Sequence, residues 1–181
     1  MAVKEIVTVG APVLRQKAKK VTSFGETTER LVQDMLDSMR AANGLGLAAP
    51  QIGVPLRVIV IEMPENDEKP HGGERYVLCN PKIVRSSKDL EEGEEGCLSV
   101  PGLIGEVVRA TAVTVKGATP RGKRVRHKAR GLLARAFQHE IDHLNGILFL
   151  DRVESTEKLH RIVPPEEGDE GEGKRDAVLT W

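Results

Sequence analysis

The sequence predicts a single α+β domain. Two stretches repeat their apolar residues at helical spacing, and several β-branched runs lie between segments that contain glycine and proline, as is typical of strands. The length of 181 residues is near the usual size of one domain. Hydrophobic residues make up 39% and charged residues 30% of the chain, which favours a soluble globular protein. Because only 3% of the residues are aromatic, we expect aliphatic side chains to build the core.

Charge, apolar runs and cysteine content exclude several classes of protein. Lys plus Arg and Asp plus Glu both total 27, so the formal net charge is zero. We therefore expect no dedicated nucleic-acid binding, although a local basic patch is compatible with this balance. No apolar run approaches the roughly 18 residues of a membrane span, and the first residues lack the apolar core of a signal peptide. Two cysteines do not make a disulfide framework, so we expect a cytoplasmic protein with free thiols and no membrane association.

The first half of the chain is predicted to contain one helix and one buried strand. The helix runs from about Glu29 to Ala42 and ends at Asn43-Gly44, because glycine accepts the left-handed conformation of a helix cap. Its apolar side chains recur at helical spacing at Leu31, Val32, Met35, Leu36 and Met39. Gly44 to Gly53 is too rich in glycine for a helix and too apolar for a solvated loop. The run Leu56 to Ile61 predicts a buried strand, and residues 62–75 predict a surface loop.

The second half alternates between predicted strands and a second helix. Tyr76 to Val84 predicts one strand or two short strands broken at Asn80-Pro81, and residues 105–115 predict another strand. Between them, carboxylates crowd at Asp89, Glu91, Glu92, Glu94 and Glu95, where we expect a structured turn. Residues 116–130 contain seven Lys or Arg and predict a polar hairpin. The second helix begins at Gly131 and ends near Leu144.

The end of the sequence differs in composition from the rest. Residues 166–173 consist of glycine and carboxylates without an apolar side chain, so they cannot contribute to a packed core. We expect residues 1–163 to form the single domain and residues 164–181 to form a flexible acidic tail rich in glycine and proline.

The second helix carries the strongest chemical signal, Gln138-His139-Glu140-Ile141-Asp142-His143. It matches H-E-x-x-H, in which two histidines four residues apart lie on one helix face and can reach one metal ion. On a helical wheel Glu140 falls within the apolar arc, where a carboxylate is costly unless a cation is near. We expect Arg135, Gln138 and Asp142 on the opposite, polar side. The alternative interpretation is a pair of surface histidines with a glutamate between them by chance.

A third ligand has to come from elsewhere in the chain. His160 follows a break in the helical pattern, so we expect it at the surface, and we expect His71 and His127 to be solvated in polar loops. Cys97 is the better candidate, because the glycine before it allows a close approach. From the residues alone, a metal ligand and a small buried hydrophobe are equally good interpretations of Cys97. The second interpretation fits Cys79 well, since its neighbours are apolar.

Three motifs, in this order, resemble the peptide deformylase family of metal-dependent hydrolases, which remove the N-formyl group from nascent polypeptides. They are Gly44-Leu45-Gly46-Leu47-Ala48-Ala49-Pro50-Gln51, Glu95-Gly96-Cys97-Leu98-Ser99 and Gln138-His139-Glu140-Ile141-Asp142-His143. The similarity covers about residues 5–153. It implies an α+β fold in which mixed, mainly antiparallel sheets surround a central H-E-x-x-H helix.

The resemblance also implies the composition of the site. The metal ligands would be Cys97, His139 and His143. They would hold one divalent ion, usually Fe(II) in the family, which zinc, nickel or cobalt can replace. Glu140 would act as general base and acid toward a metal-bound water, while the Gln51 side chain and the Leu98 N–H would stabilise the oxyanion. Glu95 would pair with Arg109 to hold the strand that carries the cysteine.

The implied substrate is an N-formyl-methionyl peptide. The peptide would lie as an added strand along Gly44, Leu45 and Gly46. Recognition would then depend on its main chain rather than on its side-chain sequence. An apolar pocket for methionine would be lined by Leu45, Leu98, Leu132 and Ala136. Transient contact with the ribosome or the nascent chain is also implied. The chain departs from members that end in a basic helix thought to dock on the ribosome, because residues 166–172 are acidic.

Two other functions compete with this interpretation. The first is an H-E-x-x-H peptidase that cuts internal peptide bonds, but such enzymes typically use a third His or Glu rather than an upstream cysteine. The second is a structural metal site or binding module, which would need no carboxylate base such as Glu140. Metal content and formate release from a formyl-methionyl peptide separate all three.

Overall fold

The computed structural model of the protein describes residues 2–65 and 71–162. Two α-helices lie within this part of the chain, α1 (Glu26–Ala41) and α2 (Gly131–His143). The strands are β1 (Gly46–Ala48), β2 (Val58–Glu62), β3 (Arg75–Ser86), β4 (Leu90–Cys97), β5 (Val100–Ala110), β6 (Ala112–Ala118), β7 (Arg124–Arg130) and β8 (Leu159–Arg161). The flexible tail predicted for residues 164–181 lies outside the described residues. Neither described helix is both long and apolar enough to cross a bilayer.

The strands form two sheets on either side of α2. A five-stranded sheet has the order β1-β2-β3-β6-β7, and a three-stranded sheet has the order β4-β5-β8. Every neighbouring pair in both sheets is antiparallel. Helix α2 contacts strands of both sheets, including β1, β2, β6 and β7 of the first and β5 of the second. The predicted α+β class, with mainly antiparallel sheets around the H-E-x-x-H helix, is confirmed.

The five-stranded sheet separates two apolar clusters. One face of β2 and β3 packs with α2, where Ile59, Ile61 and Leu78 meet Leu133 and Phe137. The opposite face packs with α1 through Val58, Val60, Cys79, Met35 and Met39. Burying a side chain of this size contributes roughly 1.5–3 kcal/mol. The alternation of side chains along β2 therefore fixes both helices on the sheet, and the core is aliphatic as predicted.

Several element boundaries differ from those predicted. Gly44 to Gly53 divides into the short strand β1 and a 3₁₀ turn over Ala49–Ile52. The predicted break at Asn80-Pro81 is a register shift within the single strand β3, where Asn80 has a φ of 53°. The strand expected over residues 105–115 is two strands that meet at Thr111. The hairpin predicted for residues 116–130 is confirmed by the pairing of β6 with β7.

The carboxylate-rich segment is a strand rather than the expected turn. Pairing of β4 with β5 runs from Leu90 opposite Ala110 to Cys97 opposite Val100, with a register shift after Gly96. The exposed carboxylates of β4 remain in water, and Glu92 pairs with Lys158. Glu95 is buried because α2 and β5 supply cationic and hydrogen-bonding partners for it. Cross-strand pairing therefore decides the structure of this segment.

A partly exposed ion network ties α1 to the first sheet. Arg40 of α1 donates two hydrogen bonds of 2.8 Å to the Glu62 carboxylate, and Arg75 donates a third of 2.8 Å. The hydrogen bond from Arg40, opposed by partial burial and assisted by Arg75, lowers the pKa of Glu62 to about 2. The network therefore ties α1 to the ends of β2 and β3.

Candidate metal centre

Cys97, His139 and His143 come together in the interior between the two sheets. Cys97 ends β4, and the two histidines lie one turn apart on α2. All three side chains are buried, and one potential ligand atom from each lies within 4.8 Å of the others. The Cys97 Sγ and His143 Nε2 atoms are 3.3 Å apart. This is the one group of three or more potential metal ligands found within residues 2–65 and 71–162.

The turn after β4 places the Cys97 thiol. Residues 98 and 99 form the tight turn into β5, and the Val9 N–H donates to the Ser99 carbonyl at 2.7 Å. Burial raises the pKa of the Cys97 thiol to about 12, although the backbone N–H groups of Ser99 and Val100 donate to the sulfur. A nearby cation favours the thiolate instead. Cys79, by contrast, is enclosed by the apolar cluster under α1, as predicted.

Glu140 is the least satisfied charged group of the site. Its side chain is fully buried, and neither carboxylate oxygen has a hydrogen-bond partner among the described residues. Burial, and then the negative charge of Glu95, raise the pKa of Glu140 well above its ordinary value. Such a carboxylate costs several kcal/mol in the absence of a cation. The donor set of one thiol and two imidazoles, with this carboxylate beside it, fits a divalent metal ion.

The backbone of β1 closes over Glu140 at Gly46. A Cβ atom added to Gly46 would lie 3.0 Å from Glu140 Cδ and 3.2 Å from Cγ, and closer still to Oε1. Glycine is therefore required here for a close approach rather than for an unusual φ. The edge of the first sheet thus forms one wall of the site.

Glu95 orients His139 from the side away from the cluster. Its Oε2 atom lies 2.9 Å from His139 Nδ1, and Arg109 donates two hydrogen bonds of 2.8 and 2.9 Å to the carboxylate. Burial opposes the charged form of Glu95, but the hydrogen bonds from Arg109 and His139 prevail and hold its pKa well below the ordinary value. A carboxylate on the distal ring nitrogen fixes the tautomer and orientation of a ligating histidine. The predicted Glu95–Arg109 pair is confirmed.

The prediction of a solvated polar side of α2 is wrong. Arg135 and Asp142 are buried, at 9% and 6% exposure. Arg135 donates to Glu95 at 3.0 Å and to the Val107 carbonyl at 2.8 Å, while Asp142 accepts from Arg109 at 2.6 Å and also from Arg152. At 100° per residue both positions fall within about 60° of His139, so they face β4 and β5 beside it. The i, i+4, i+7 spacing of Arg135, His139 and Asp142 is the sequence signal that places all three on one face of α2.

Gln51 lies beside the cluster in the 3₁₀ turn after β1. Its side-chain oxygen accepts from the Ala48 N–H at 2.8 Å, which fixes the orientation of the amide. The Nε2 atom then points toward the Ser99 hydroxyl at 3.2 Å and the Cys97 Sγ at 3.5 Å. Leu98 is half-buried in the turn after Cys97. Gln51 and Leu98 therefore both lie on the cysteine side of the cluster.

The predicted peptide-binding segment lies at an edge of the first sheet. The Glu62 N–H donates to the Leu45 carbonyl at 2.8 Å, so alternation turns the main-chain groups of Gly46 away from β2. Among the described strands, β1 has no neighbour on that side. Leu45, Ala136 and Leu132 belong to or pack on one apolar cluster, whereas Leu98 packs on the cluster under α1 and lies against Gly44.

The remaining histidines lie away from the cluster. His160 is exposed on β8, as predicted. His127 is half-buried on β7, with its ring centroid 5.1 Å from that of Tyr76, and burial lowers its pKa. The expectation of a solvated loop is therefore wrong for His127. His71 is half-buried and lies beside the same tyrosine.

Antiparallel sheets around an H-E-x-x-H helix, with a cysteine beside the two histidines, define the class of the protein as a metal-dependent α+β hydrolase. The model of the family described as "Polypeptide deformylase" matches residues 3–159. The chain belongs to the polypeptide deformylase family and is an enzyme of protein biosynthesis.

Related proteins agree with this assignment. A peptide deformylase of Thermomicrobium roseum is 51% identical over 173 residues, which cover 95% of this chain and 97% of that relative. One from Natranaerobius thermophilus is 53% identical over 154 residues, covering 85% and 94%. The crystal structure of a peptide deformylase from Synechococcus elongatus in complex with actinonin has a TM-score of 0.79 and 42% identity, covering 86% of this chain and 81% of that one. The structure from Legionella pneumophila has a TM-score of 0.78 and 46% identity, covering 87% and 89%.

Proposed function

We propose that Cys97, His139 and His143 hold the divalent metal ion with which this chain hydrolyses the N-formyl group of formyl-methionyl polypeptides. The observation that carries the proposal is the buried Glu140 carboxylate beside this cluster, which has no hydrogen-bond partner within the described part of the chain. Imidazole and thiolate donors suit several first-row metals. Fe(II) is the proposed native ion, and zinc, nickel or cobalt suit the same donors.

Glu140 supplies the proton transfers of the reaction. A bound divalent ion lowers the pKa of a water molecule and polarises a carbonyl oxygen. The Glu140 carboxylate accepts a proton from the attacking water and later delivers it to the methionine nitrogen as the C–N bond breaks. The products are formate and a free amino terminus. The wall formed by Gly46 lies against the carboxylate and limits its rotation.

Gln51 and Leu98 stabilise the negative oxygen of the tetrahedral intermediate. The Gln51 amide is held by the Ala48 N–H, so its Nε2 donor is oriented before the reaction begins. The backbone N–H of Leu98 is the second donor. Preorganised donors of this kind stabilise a developing oxyanion without reorganisation at the moment of reaction.

The substrate binds along the edge of β1 that no described strand covers. Its main chain extends the sheet beside Gly44, Leu45 and Gly46, and the outward main-chain groups of Gly46 provide hydrogen bonds. The methionine side chain contacts Leu45, Leu98, Leu132 and Ala136. Recognition through main chain and one apolar pocket allows many polypeptide sequences to react.

The substrate indicates where in the cell this reaction takes place. We infer that the enzyme meets nascent chains at the ribosome, in the cytoplasm. The two free buried cysteines support a reducing compartment.

Formate release from an N-formyl-methionyl peptide under anaerobic conditions tests the proposal, with Glu140→Gln as the decisive variant. We expect this variant to retain metal and melting temperature while kcat falls by about 10²–10⁴-fold or more, because one group serves both proton transfers. Glu94→Gln, which changes an exposed carboxylate of β4, is the matched control and should behave like wild type. Near-normal turnover of Glu140→Gln would show that another group moves the proton. Cleavage of internal peptide bonds without formate release would identify a peptidase instead.

A further inference from the structure

A band of cations covers the part of the five-stranded sheet that α1 leaves open. On this face α1 packs over β1 and β2. Beyond it, seven side chains from β3, β6 and β7 project on the same side, as the register of the strands requires. We name this set the basic face: Lys82, Arg85, Lys116, Arg124, Arg126, Lys128 and Arg130. All seven are exposed.

The charges of the basic face are not neutralised within the described structure. None of the seven makes an ion pair with another described residue, whereas Arg30, Arg40 and Arg121 elsewhere on the surface do. The chain as a whole has a net charge of zero, so these cations are segregated rather than typical of its surface. Like charges held side by side repel one another, and an anionic partner removes that cost.

The arrangement of the basic face is regular. Four cations alternate along β7, at intervals of about 7 Å, because side chains on one face recur every second residue. Cross-strand register places Lys116 opposite Arg126 and Thr114 opposite Lys128. A groove of about 600 Å³ is lined by Arg85, Arg126, Lys128 and Arg130 together with the hydroxyl-bearing Ser86 and Thr114. The groove also borders His71, and it borders Val113 and Ala129 of the apolar cluster under α2.

We propose that the basic face binds the phosphate backbone of RNA. Arginine forks and hydroxyl groups are the donors that phosphate oxygens accept in nucleic-acid complexes, and four of the seven cations are arginines. Apart from Val84, no large hydrophobic side chain is exposed on β3, β6 or β7, which disfavours insertion into a membrane and the apolar centre of a protein interface. The choice of RNA rests on the proposed function, because a nascent polypeptide is made on an RNA-containing particle. The basic face lies on the side of the sheet away from α2, so RNA can bind while the metal centre stays open.

Salt-dependent binding of a fluorescent single-stranded RNA of about 20 nucleotides tests the proposal. With about four groove cations on phosphates, the slope of log affinity against log salt should be near −3 for the wild type. The double variant Arg126→Gln, Lys128→Gln should reduce that slope by about half and weaken binding at about 50 mM salt at least tenfold. The matched control, Lys17→Gln with Arg30→Gln, removes two exposed cations outside the basic face and should bind like wild type.

Three results would overturn the proposal. They are an unchanged slope in the first double variant, an equal loss in the control pair, and displacement of the RNA by polyglutamate at the same charge concentration, which would assign the face to an acidic protein. Formate release from a short formyl-methionyl peptide should be unchanged in both double variants. The binding result and the catalytic result are thus independent, and failure of one is distinguishable from failure of the other.

Discussion

Replacing Gly46 by alanine should disable Glu140 without removing the metal. The new Cβ would lie 3.0 Å from Glu140 Cδ, whereas ordinary contacts begin at 3.4 Å. Because Glu140 is fully buried, its carboxylate has no solvent space to enter and has to shift by about 1 Å at its oxygen. A misplacement of about 1 Å costs on the order of 10²-fold in rate.

We therefore expect kcat of Gly46→Ala to fall about 10²-fold, with KM and metal content close to wild type. KM should hold because the main-chain groups of β1 remain in place. Steady-state formate release and metal analysis of the same preparation provide both readouts. Gly117→Ala is the control for crowding in general, since its Cβ would meet Leu78 and the Cys79 carbonyl far from Glu140. It should lose stability but keep kcat.

A double-mutant cycle identifies the cause of the loss. If Gly46→Ala acts through Glu140, adding it to Glu140→Gln should cost much less than about 10²-fold, because the proton carrier is already absent. Full additivity would refute the reasoning, and so would a kcat of Gly46→Ala within about twofold of wild type.

The remaining predictions concern the metal, the oxyanion and acid stability. Cys97→Ala should reduce metal content well below one ion per chain, while Cys79→Ala keeps it; unchanged stoichiometry and affinity in the first variant would exclude Cys97 as a ligand. Gln51→Ala should lower kcat about 10²–10³-fold with little change in KM, and a large fall in melting temperature with kcat intact would show that the amide only serves the backbone. Because the pKa of Glu62 is lowered to about 2, its contribution to folding is complete above its unfolded value and is lost as the pH falls toward about 2. Urea unfolding of wild type and Glu62→Gln should therefore differ by about 1–2 kcal/mol at neutral pH and converge near pH 2, and a difference independent of pH would contradict this.

The parts of the site that sequence could predict are those set by local spacing. The i, i+4 pair on α2 and the inward position of Glu140 follow from helical geometry alone. Cys97 is different, because tertiary packing brings it to His143, which lies 46 positions away in sequence, and no local pattern predicts that contact. From the residues alone a ligand and a small hydrophobe were equally good interpretations, and the family motif separated them.

Strand β4 and the buried Arg135 also show features that local sequence patterns do not predict. Crowded carboxylates predict a turn, yet β4 is a strand because it pairs with β5, and the buried Glu95 is stabilised by Arg109 of β5 and Arg135 of α2. Ion pairs of this kind depend on tertiary contacts that local propensity does not contain. The wrong position predicted for Arg135 has a simpler cause. On a helical wheel Arg135 lies beside His139 rather than opposite it.

The position of Cys97 and His143 on different elements has a consequence for the unfolded chain. These two residues are 46 positions apart in sequence, so a shared ion cross-links a long loop of the polypeptide. Because the denatured chain does not hold the three donors together, the ion binds the folded state selectively and stabilises it through its binding free energy. The link also joins the second sheet to the helix that packs on the first. The ion would then link the two sheets through α2. Oxidation of the Cys97 sulfur would therefore lower both the stability of the folded enzyme and its activity.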